Sequence, residues 1–231
     1  MTTRLLVTGT DTGVGKTLVS AGLCAWLRGQ GRDVLGLKPV ESGTDDNGGV
    51  PADAGLLARC CGAELEQCIV YALPEPLAPV LAARRAGVSI DIARLDAAFE
   101  AACAAHEFVV VEGVGGARVE VAPGVDVADL AARWGLATLV VAANRLGVLS
   151  HTLLTVEALQ SRNVPVLGVV LNSVGSASGL AERTNAEELG RLLPSEVPLL
   201  GPMAYVGPED RVQPKKLAAA VSRIAGGLFS L

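Results

Sequence analysis

A glycine-rich loop, GTDTGVGKT at 9–17, lies between an apolar run and a stretch with helical spacing. The apolar run is RLLVT (4–8), and LVSAGLCAWLRGQG (18–31) has apolar residues at helical spacing and ends in glycine. In a strand, loop and helix of this order, backbone N–H groups and the helix dipole can bind an anion. The feature therefore predicts an α/β sheet with a phosphate site at the end of its first strand.

The spacing of this loop departs from the commonest phosphate-loop pattern by one residue. That pattern has four residues between its glycines, whereas five separate Gly9 from Gly15. The chemical groups are retained, because Lys16 can reach the outer phosphates of a nucleotide and Thr17 can ligate magnesium. A plain glycine turn is the alternative, and the strand and helix on either side of the loop argue against it.

The apolar pattern of the remaining chain predicts the same fold class. Half of the 231 residues are apolar, and the apolar runs are rich in Val, Leu and Ala, as is typical of buried parallel strands. Helical stretches separate further strand-like runs at 33–38, 108–112, 138–143, 166–171 and 198–201. We therefore predict one α/β domain over residues 1–231, of the P-loop NTPase type, with a mostly parallel central sheet and helices on both faces.

Charge and cysteine content argue against several classes of function. The 19 basic and 24 acidic residues give a net charge of −5, which disfavours a long nucleic-acid footprint. The five cysteines lack metal-ligand spacing and disulfide density, which predicts buried or idle thiols in a reducing compartment. No apolar run reaches the roughly 20 residues of a membrane span, and the N-terminal run is too short for a signal peptide. We expect a cytoplasmic protein without nucleic-acid or membrane partners.

Two further predicted strands end in charged residues. KPVESG (38–43) ends the second strand, which brings Lys38 beside the phosphate loop, and Pro39 is expected to turn the chain. A buried lysine is costly without an anion partner. VVVEGVGG (109–116) ends the third strand, where Glu112 can face magnesium while the glycines keep the backbone close to phosphate. A lysine at an exposed strand end and an incidental glutamate are the alternatives.

Three other segments carry candidate positions. ESGTDDNGG (41–49) is predicted to be a mobile loop, and Asp53 behind it fits either a helix cap or a metal ligand. In LGVLSHTLLT (146–155), Ser150 is predicted to be the N-cap of a helix that could hold a second anion. A final helix is predicted over about 216–229.

In their order along the chain, these segments resemble the dethiobiotin synthetase family of biotin biosynthesis. That family has GTDTxVGKT with the same five-residue spacing, then KPVxSG or KPVxTG, an EP-L-x-P segment, VEGAGG, LGxxNHxLLT and a VxN strand end. The chain has GTDTGVGKT, KPVESG, EPLAP (75–79), VEGVGG, LGVLSHTLLT and VVLN (169–172). The resemblance extends through nearly the whole chain, and the nine-residue loop is its most specific part.

The resemblance implies an ATP-dependent ligase that closes the ureido ring of dethiobiotin. In that reaction 7,8-diaminononanoate takes up CO2, supplied as such or as bicarbonate, to form a carbamate. ATP converts the carbamate to a carbamic-phosphoric anhydride, and the second amine closes the ring. Lys16, Lys38 and Thr12 would be the catalytic residues, the two lysines stabilising charge on the phosphoryl group and the carbamate. Thr12 and Ser42 would position the carbamate.

The resemblance also implies sites for Mg²⁺ and ATP. Thr17, Asp53 and Glu112 match the family's magnesium ligands, and oxygen donors suit Mg²⁺. Asn172 would read adenine. The implied nucleotide contacts are Gly13, Val14, Gly15, Lys16, Thr17, Leu18, Asp53, Glu112, Gly113, Val114, Gly115, Asn172, Ala204, Tyr205 and Val206.

A homodimer is implied as well, in which LGVLSHTLLT reaches the active site of the neighbouring subunit. A substrate with an apolar chain and a terminal carboxylate needs an anion site away from the phosphates. A helix that begins near Ser150 offers free N–H groups and positive dipole for that carboxylate. Leu146, Gly147, Val148 and Leu149 could line the aliphatic part of the substrate.

Three positions depart from the family pattern. Val114 replaces an alanine in the second glycine turn, Ser150 replaces an asparagine, and Ala204 stands where the family commonly has proline near the base. The change to Ala204 is the one expected to affect nucleobase selectivity.

Two other functions use phosphate loops of this kind. P-loop switch ATPases that partition plasmids or position division sites carry a signature lysine where this chain has Asp11. An acid cannot contact phosphate as that lysine does. Cobyrinate-type amidoligases normally carry a glutaminase domain, for which we expect no room after the final helix.

Overall fold

Strands and helices alternate along most of the chain in the structure, a computed structural model that describes residues 2–176 and 179–229. The strands are β1 (Thr3–Gly9), β2 (Val34–Ser42), β3 (Ile69–Leu73), β4 (Phe108–Glu112), β5 (Glu120–Ala122), β6 (Val125–Asp126), β7 (Ala137–Ala143), β8 (Val166–Asn172) and β9 (Leu199–Met203). The helices are α1 (Lys16–Gly29), α2 (Ala52–Cys61), α3 (Leu65–Cys68), α4 (Pro79–Arg85), α5 (Ile92–Ala105), α6 (Val127–Arg133), α7 (Val148–Gln160), α8 (Leu180–Leu192) and α9 (Pro214–Leu228).

Seven strands form one sheet in the order β3-β2-β4-β1-β7-β8-β9, and every neighbouring pair is parallel. β5 and β6 form a separate antiparallel pair. All residues of β4 are buried. Because successive side chains of a strand point to opposite faces, helices must cover both faces of the sheet here. The predicted fold class is confirmed.

The cysteines belong mainly to the core, as predicted. Cys24, Cys60, Cys61 and Cys68 are buried, and Cys103 is half-buried. The Sγ atoms of Cys61 and Cys68 lie 4.0 Å apart, and all five thiols are free. Within the described ranges of the chain, we find no helix whose length and apolar content would allow it to cross a membrane.

The predicted turn at Pro39 is wrong, because β2 continues through this residue to Ser42. β4 pairs with β2 only over Val34 to Leu37, and β3 pairs with it from Lys38 onward. Pro39 therefore lies beyond the residues paired with β4, where its missing N–H group removes no hydrogen bond to that strand. The extension of β2 carries Lys38 and the following residues along the edge of the site.

Helix boundaries also differ from the sequence expectations. α7 begins at Val148 with Gly147 as its N-cap, so the prediction of Ser150 as the N-cap is wrong. Gly147 has φ of 96°, a left-handed conformation that glycine adopts without strain. Ser150 is instead the exposed third residue of the helix. The final helix, α9, lies within two residues of its predicted bounds at both ends.

Candidate active site

One cavity of about 1090 Å³ lies at the carboxyl ends of β1, β2, β4 and β8. Ligands of open parallel sheets bind at this edge. The predicted site residues that line the cavity are Thr12, Gly13, Gly15, Lys16, Thr17, Leu18, Lys38, Ser42, Asp53, Val114, Gly115 and Asn172. The structure thus brings together residues that are up to 160 positions apart in the chain.

The phosphate loop connects β1 to α1, and Gly15 is the N-cap of the helix. Gly13 and Gly15 have φ of 73° and 101°, which side-chain-bearing residues rarely adopt. No side chain caps α1, so its first N–H groups are free of a side-chain acceptor at the N-cap and can donate hydrogen bonds to an anion in the cavity. Lys16 Nζ donates to the carbonyl oxygen of Asp11 at 2.9 Å, which holds the lysine across the loop.

Asn172, the last residue of β8, contacts the phosphate loop directly. Its Nδ2 donates to the carbonyl oxygen of Val14 at 2.8 Å, and a methyl group added at Gly15 would lie 2.1 Å from that nitrogen. Asn172 is only 1% exposed, and its Oδ1 has no hydrogen-bond partner among the described residues. A buried amide oxygen without a donor is costly, so this atom is suited to accept from a bound ligand.

Thr17, Lys38, Asp53 and Glu112 form one hydrogen-bonded cluster beside the cavity. Thr17 Oγ1 lies 2.8 Å from Asp53 Oδ1 and 2.8 Å from Glu112 Oε1, and its single proton serves one of them at a time. Lys38 Nζ donates to Asp53 Oδ2 at 2.9 Å and to Glu112 Oε1 at 2.6 Å. Its third contact is the carbonyl oxygen of Gly113 at 3.1 Å.

The two lysines of the site have opposite pKa shifts. Burial lowers the pKa of Lys16 to about 8, and the charge of Lys38 acts in the same direction. Burial also lowers the pKa of Lys38, but Glu112 and Asp53 more than offset it, so this pKa is raised above its ordinary value. Lys38 is therefore fully charged at neutral pH, whereas an anion bound beside Lys16 would strengthen the charged form of that lysine.

The two carboxyl groups of the cluster also differ. Burial raises the pKa of Glu112 in spite of the opposing charge of Lys38. Burial acts in the same direction on Asp53, but Lys38 and Thr17 lower the pKa of that carboxyl on balance. Glu112 Oε2 is buried with no hydrogen-bond partner in the described chain. The cluster thus has more acceptor oxygens than donor hydrogens.

An oxygen-rich cluster of this kind fits Mg²⁺, which prefers oxygen ligands and commonly takes only one or two carboxylates plus substrate phosphates. No group of three or more His, Cys, Asp or Glu side chains in the described residues could hold a metal alone. A metal here would therefore depend on the hydroxyl of Thr17 and on ligands from a nucleotide. The carboxylates of Asp53 and Glu112 already pair with one positive charge, the ammonium group of Lys38.

Glu41 is a residue of the site that sequence reasoning missed. The segment 41–49 was predicted to be a mobile loop, but Glu41 belongs to β2, is 6% exposed and lines the cavity. Its Oε1 accepts from the backbone N–H of Asp53 at 3.0 Å and its Oε2 from that of Ala54 at 2.9 Å. Burial raises the pKa of Glu41, against the effect of the Ala54 hydrogen bond.

The segment 146–150 does not reach the cavity of its own chain. None of the cavity-lining residues in the described structure comes from it. Leu146 is 86% exposed, whereas Val148 is 2% exposed and packs in the core. The side chain of Val148 is therefore not available to a substrate in this chain, whereas Leu146, Gly147 and Ser150 are exposed. A substrate contact of this segment with a neighbouring subunit stays a prediction.

The predicted base contacts at 204–206 are also absent from the cavity lining of the described chain. Val206 is buried, and its carbonyl oxygen accepts from Arg211 Nε at 2.8 Å. The guanidinium carbon of Arg211 lies 5.3 Å from the ring centre of Tyr205. Arg211, Val212 and Val174 line the cavity instead. No motif of the sequence marks these three residues.

Curated proteins with similar sequences cover most of the chain. Residues 3–207 match a family described as an AAA domain. The ATP-dependent dethiobiotin synthetase BioD of Anaeromyxobacter dehalogenans is 45% identical over 190 residues, which cover 81% of this chain and 84% of that protein. The protein of the same name from Aromatoleum aromaticum is 40% identical over 222 residues, which cover 94% of this chain and 96% of that protein.

Solved structures share the fold at low sequence identity. A ParA family ATPase from Chlorobium tepidum TLS aligns with a TM-score of 0.60 and 13% identity over 97% of this chain and 99% of that chain. The septum site-determining protein MinD from Pyrococcus horikoshii OT3, complexed with Mg-ADP, aligns with a TM-score of 0.56 and 18% identity over 99% and 96%. Such likeness shows a P-loop NTPase-type fold alone. With 40% and 45% identity to two curated synthetases over most of their lengths, the chain belongs to the dethiobiotin synthetase family.

Proposed function

We propose that the chain closes the ureido ring of dethiobiotin from 7,8-diaminononanoate, CO2 and ATP, with residues 1–231 acting as one cytoplasmic catalytic domain. As a member of its family it is an ATP-dependent ligase of biotin biosynthesis. The observation that carries the proposed reaction is Lys38, a second lysine at the phosphate site that is 2% exposed and paired with Asp53 and Glu112. Burial of this charge is costly, and a reaction with its own anionic intermediate gives it a role.

The first step forms the acceptor for the phosphoryl group. An uncharged amine of the diamine attacks CO2, a C–N bond forms, and loss of a proton from nitrogen leaves a carbamate anion. Thr12 and Ser42 both line the cavity and carry hydroxyl groups that could donate to carbamate oxygens. Lys38 would stabilise the negative charge, because a fixed cation in a site removed from water is far more effective than a solvated one.

The second step transfers the γ-phosphoryl group. A carbamate oxygen bonds to the γ-phosphorus while the bond from phosphorus to ADP breaks, which gives a carbamic-phosphoric anhydride and ADP. Lys16 and the N–H groups at the start of α1 would stabilise charge on the transferring group. The second amine then attacks the carbonyl carbon, phosphate leaves with the electrons of its C–O bond, the attacking nitrogen loses a proton, and the ring closes.

Thr17, Asp53 and Glu112 would hold Mg²⁺, as the excess of acceptor oxygens in the cluster suggests. When bound, Mg²⁺ supplies positive charge that neutralises the phosphates during transfer. All three N–H groups of Lys38 have acceptors within the chain, so contact with a substrate anion requires exchange of at least one of them. We propose Asn172 Oδ1 as the acceptor for the amino group of adenine, since this buried oxygen has no protein donor in the described chain.

ADP release is expected to require both the diamine and CO2 or bicarbonate, because the phosphoryl acceptor exists only after the carbamate forms. The measurement is steady-state ADP production with each substrate omitted in turn. Omission of the diamine should reduce the rate to the level of a reaction without enzyme. Equal ADP production without diamine would rule out the ligase reaction and favour a nucleotide switch.

We further propose a homodimer in which α7 of one subunit completes the site of the other. None of residues 146–150 in the described chain lines its own cavity, and Leu146 is largely exposed. Gly147 provides no capping side chain, so the first N–H groups of α7 have no side-chain acceptor at the N-cap. The partner's α7 could therefore bind the carboxylate of the diamine.

Ser150→Asp is expected to weaken diamine binding and to leave ATP binding intact, because it adds negative charge in the first turn of α7 where the carboxylate would bind. A mixture of this variant with Lys38→Gln tests sharing directly. After subunit exchange, half of the dimers are mixed and each mixed dimer has one intact site, so about a quarter of wild-type activity should return. If both variants are inactive alone and subunits exchange without any recovery, each site is built within one chain.

A further inference from the structure

The start of α2 has no capping side chain of its own. Its N-cap is Pro51, whose backbone is extended and whose side chain accepts no hydrogen bond. The first N–H groups of a helix have no partner inside the helix. Asp53 and Ala54 are the second and third residues of α2, and their N–H groups are the two that an N-cap side chain ordinarily binds.

Glu41 supplies this missing cap from a neighbouring strand. One carboxylate oxygen accepts from the N–H of Asp53 and the other from that of Ala54. Glu41 is almost fully buried and follows Lys38 by three residues on β2. Its negative charge also lies at the positive end of the α2 dipole. A buried carboxylate with both oxygens bound to one helix turn is a rigid connection between β2 and α2.

The residue held by this connection is the one that reaches the candidate metal site. The Asp53 side chain contacts both Thr17 and Lys38, while its backbone N–H is bound by Glu41. Movement of the first turn of α2 would displace the carboxylate of Asp53 from both contacts. Groups that orient a metal ligand in this way commonly contribute about 10- to 100-fold to metal affinity or activity.

We propose that Glu41 is a positioning residue for Asp53, acting as an N-cap that β2 provides to α2. The inference rests on the proposed function, because it assumes that Asp53 holds Mg²⁺. Glu41 also lines the cavity, so direct contact with substrate is the competing role. The two roles differ in one respect: only capping can be replaced by another acceptor at the start of α2.

Position 51 allows that replacement. A serine at the N-cap can accept from one of the two N–H groups that Glu41 binds, and the backbone at Pro51 is already extended. The test compares Glu41→Ala, Glu41→Gln and the double variant Glu41→Ala/Pro51→Ser. The single variant Pro51→Ser measures the effect of removing the proline itself.

Three measurements separate the roles. Amide hydrogen exchange of the peptide that contains the first turn of α2 reports the cap, Mn²⁺ binding in the presence of ADP reports the metal site, and kcat as a function of Mg²⁺ reports the reaction. In Glu41→Ala we expect faster exchange and about 10- to 100-fold weaker Mn²⁺ binding and Mg²⁺ activation. Glu41→Gln retains one acceptor oxygen, so its losses should be smaller.

The double variant Glu41→Ala/Pro51→Ser decides between capping of α2 and direct contact with the ligand. The double variant should recover slow exchange and most of the metal affinity, measured against the Pro51→Ser single variant. Recovered exchange without recovered metal binding would overturn the proposal and indicate that Glu41 acts on the ligand directly. Faster exchange in Glu41→Ala with unchanged Mn²⁺ binding would also overturn it, since the cap would then serve stability alone.

Failure of the proposed function has a different signature. In that case the wild-type protein itself would show no diamine-dependent ADP release and no requirement for a divalent cation, whatever the variants do. That result would overturn the inference together with the proposed function. If Glu41→Ala does not fold, the same comparison is made with Glu41→Gln and its Pro51→Ser double variant.

Discussion

Lys38→Gln is expected to lower kcat by about 10²- to 10³-fold while ATP affinity changes only slightly. Its ammonium group is the candidate partner of charge that develops on the carbamate and the transferring phosphoryl group. Glutamine is of similar length but carries no charge, so an interaction specific to the transition state is removed. Steady-state kinetics give kcat, and calorimetric titration with ATP gives the affinity.

Lys215→Gln is the matched control, because it also replaces a lysine by glutamine but does so outside the cavity. Lys215 is an exposed residue in the first turn of α9. This variant should retain wild-type kcat. A large loss of ATP affinity in Lys38→Gln with nearly normal turnover would instead assign Lys38 to nucleotide binding.

The same substitution has a pH-dependent effect on stability. Without Lys38, burial and the negative charge of Asp53 act on the carboxyl of Glu112 with only the Thr17 hydrogen bond opposing them, so the pKa of Glu112, already raised, should rise further. When the pKa of a carboxyl is higher in the folded than in the unfolded state, the free energy of unfolding of the protein decreases as the pH rises from the unfolded-state pKa to the folded-state pKa. The deficit in Tm of Lys38→Gln relative to wild type should therefore be smaller at pH 5 than at pH 8. An equal deficit at both values would show that Glu112 does not bear an uncompensated charge.

Six of the seven strands of the central sheet are predictable from the sequence, because buried parallel strands are continuous apolar runs, but their order in the sheet comes from the structure. FVVVE at 108–112 becomes β4 with those bounds. β3 was missed, since IVYAL at 69–73 is short, lies at the sheet edge and adjoins the helical segment α3. The predicted turn at Pro39 was wrong because turn propensity is a local property. Whether Pro39 can remain in β2 depends on where β4 ceases to pair with that strand, which is a tertiary property.

Sequence reasoning singled out Thr17, Lys38, Asp53 and Glu112, and the structure brings these four residues into one hydrogen-bonded cluster. Glu41 could not be found in this way. Its role depends on the absence of a capping side chain at Pro51 and on the approach of α2 to β2, and both are tertiary facts. Ser150 was misassigned because a serine before a helical run resembles an N-cap, while Gly147 begins α7 earlier.

The fold by itself does not identify a ligase, since a ParA family ATPase and a septum site-determining protein MinD share it. Discrimination comes from individual side chains. Asp11 occupies the position of the switch lysine, and its Oδ2 lies 3.2 Å from Arg145 Nη2 while its carbonyl oxygen accepts from Lys16. The residue thus has contacts of its own in the loop, and Lys38 provides the second positive charge of the site.

Gly15→Ala is expected to abolish measurable ATP binding and to destabilise the protein by about 2–5 kcal/mol. Two costs add at this position. The φ of 101° strains any residue with a Cβ, and the added methyl group would lie 2.1 Å from Asn172 Nδ2. Relief of the contact would displace Asn172 from the carbonyl oxygen of Val14 and distort the loop. For a chain of this size the loss corresponds to a Tm decrease of roughly 5–15 °C.

Gly13→Ala separates the two costs, because Gly13 also has a positive φ, of 73°, but nothing lies within 4 Å of an added methyl group. The free energy of unfolding of Gly13→Ala should fall only by the backbone strain of about 1–2 kcal/mol, with a correspondingly small decrease in Tm. Asn172→Ala in the Gly15→Ala background removes the amide that the methyl group would meet, so the double variant should be more stable than Gly15→Ala alone. Direct contact makes the two substitutions non-additive. Equal Tm values for Gly13→Ala and Gly15→Ala, with no recovery in the double variant, would show that strain alone acts and that Asn172 does not hold the loop in place.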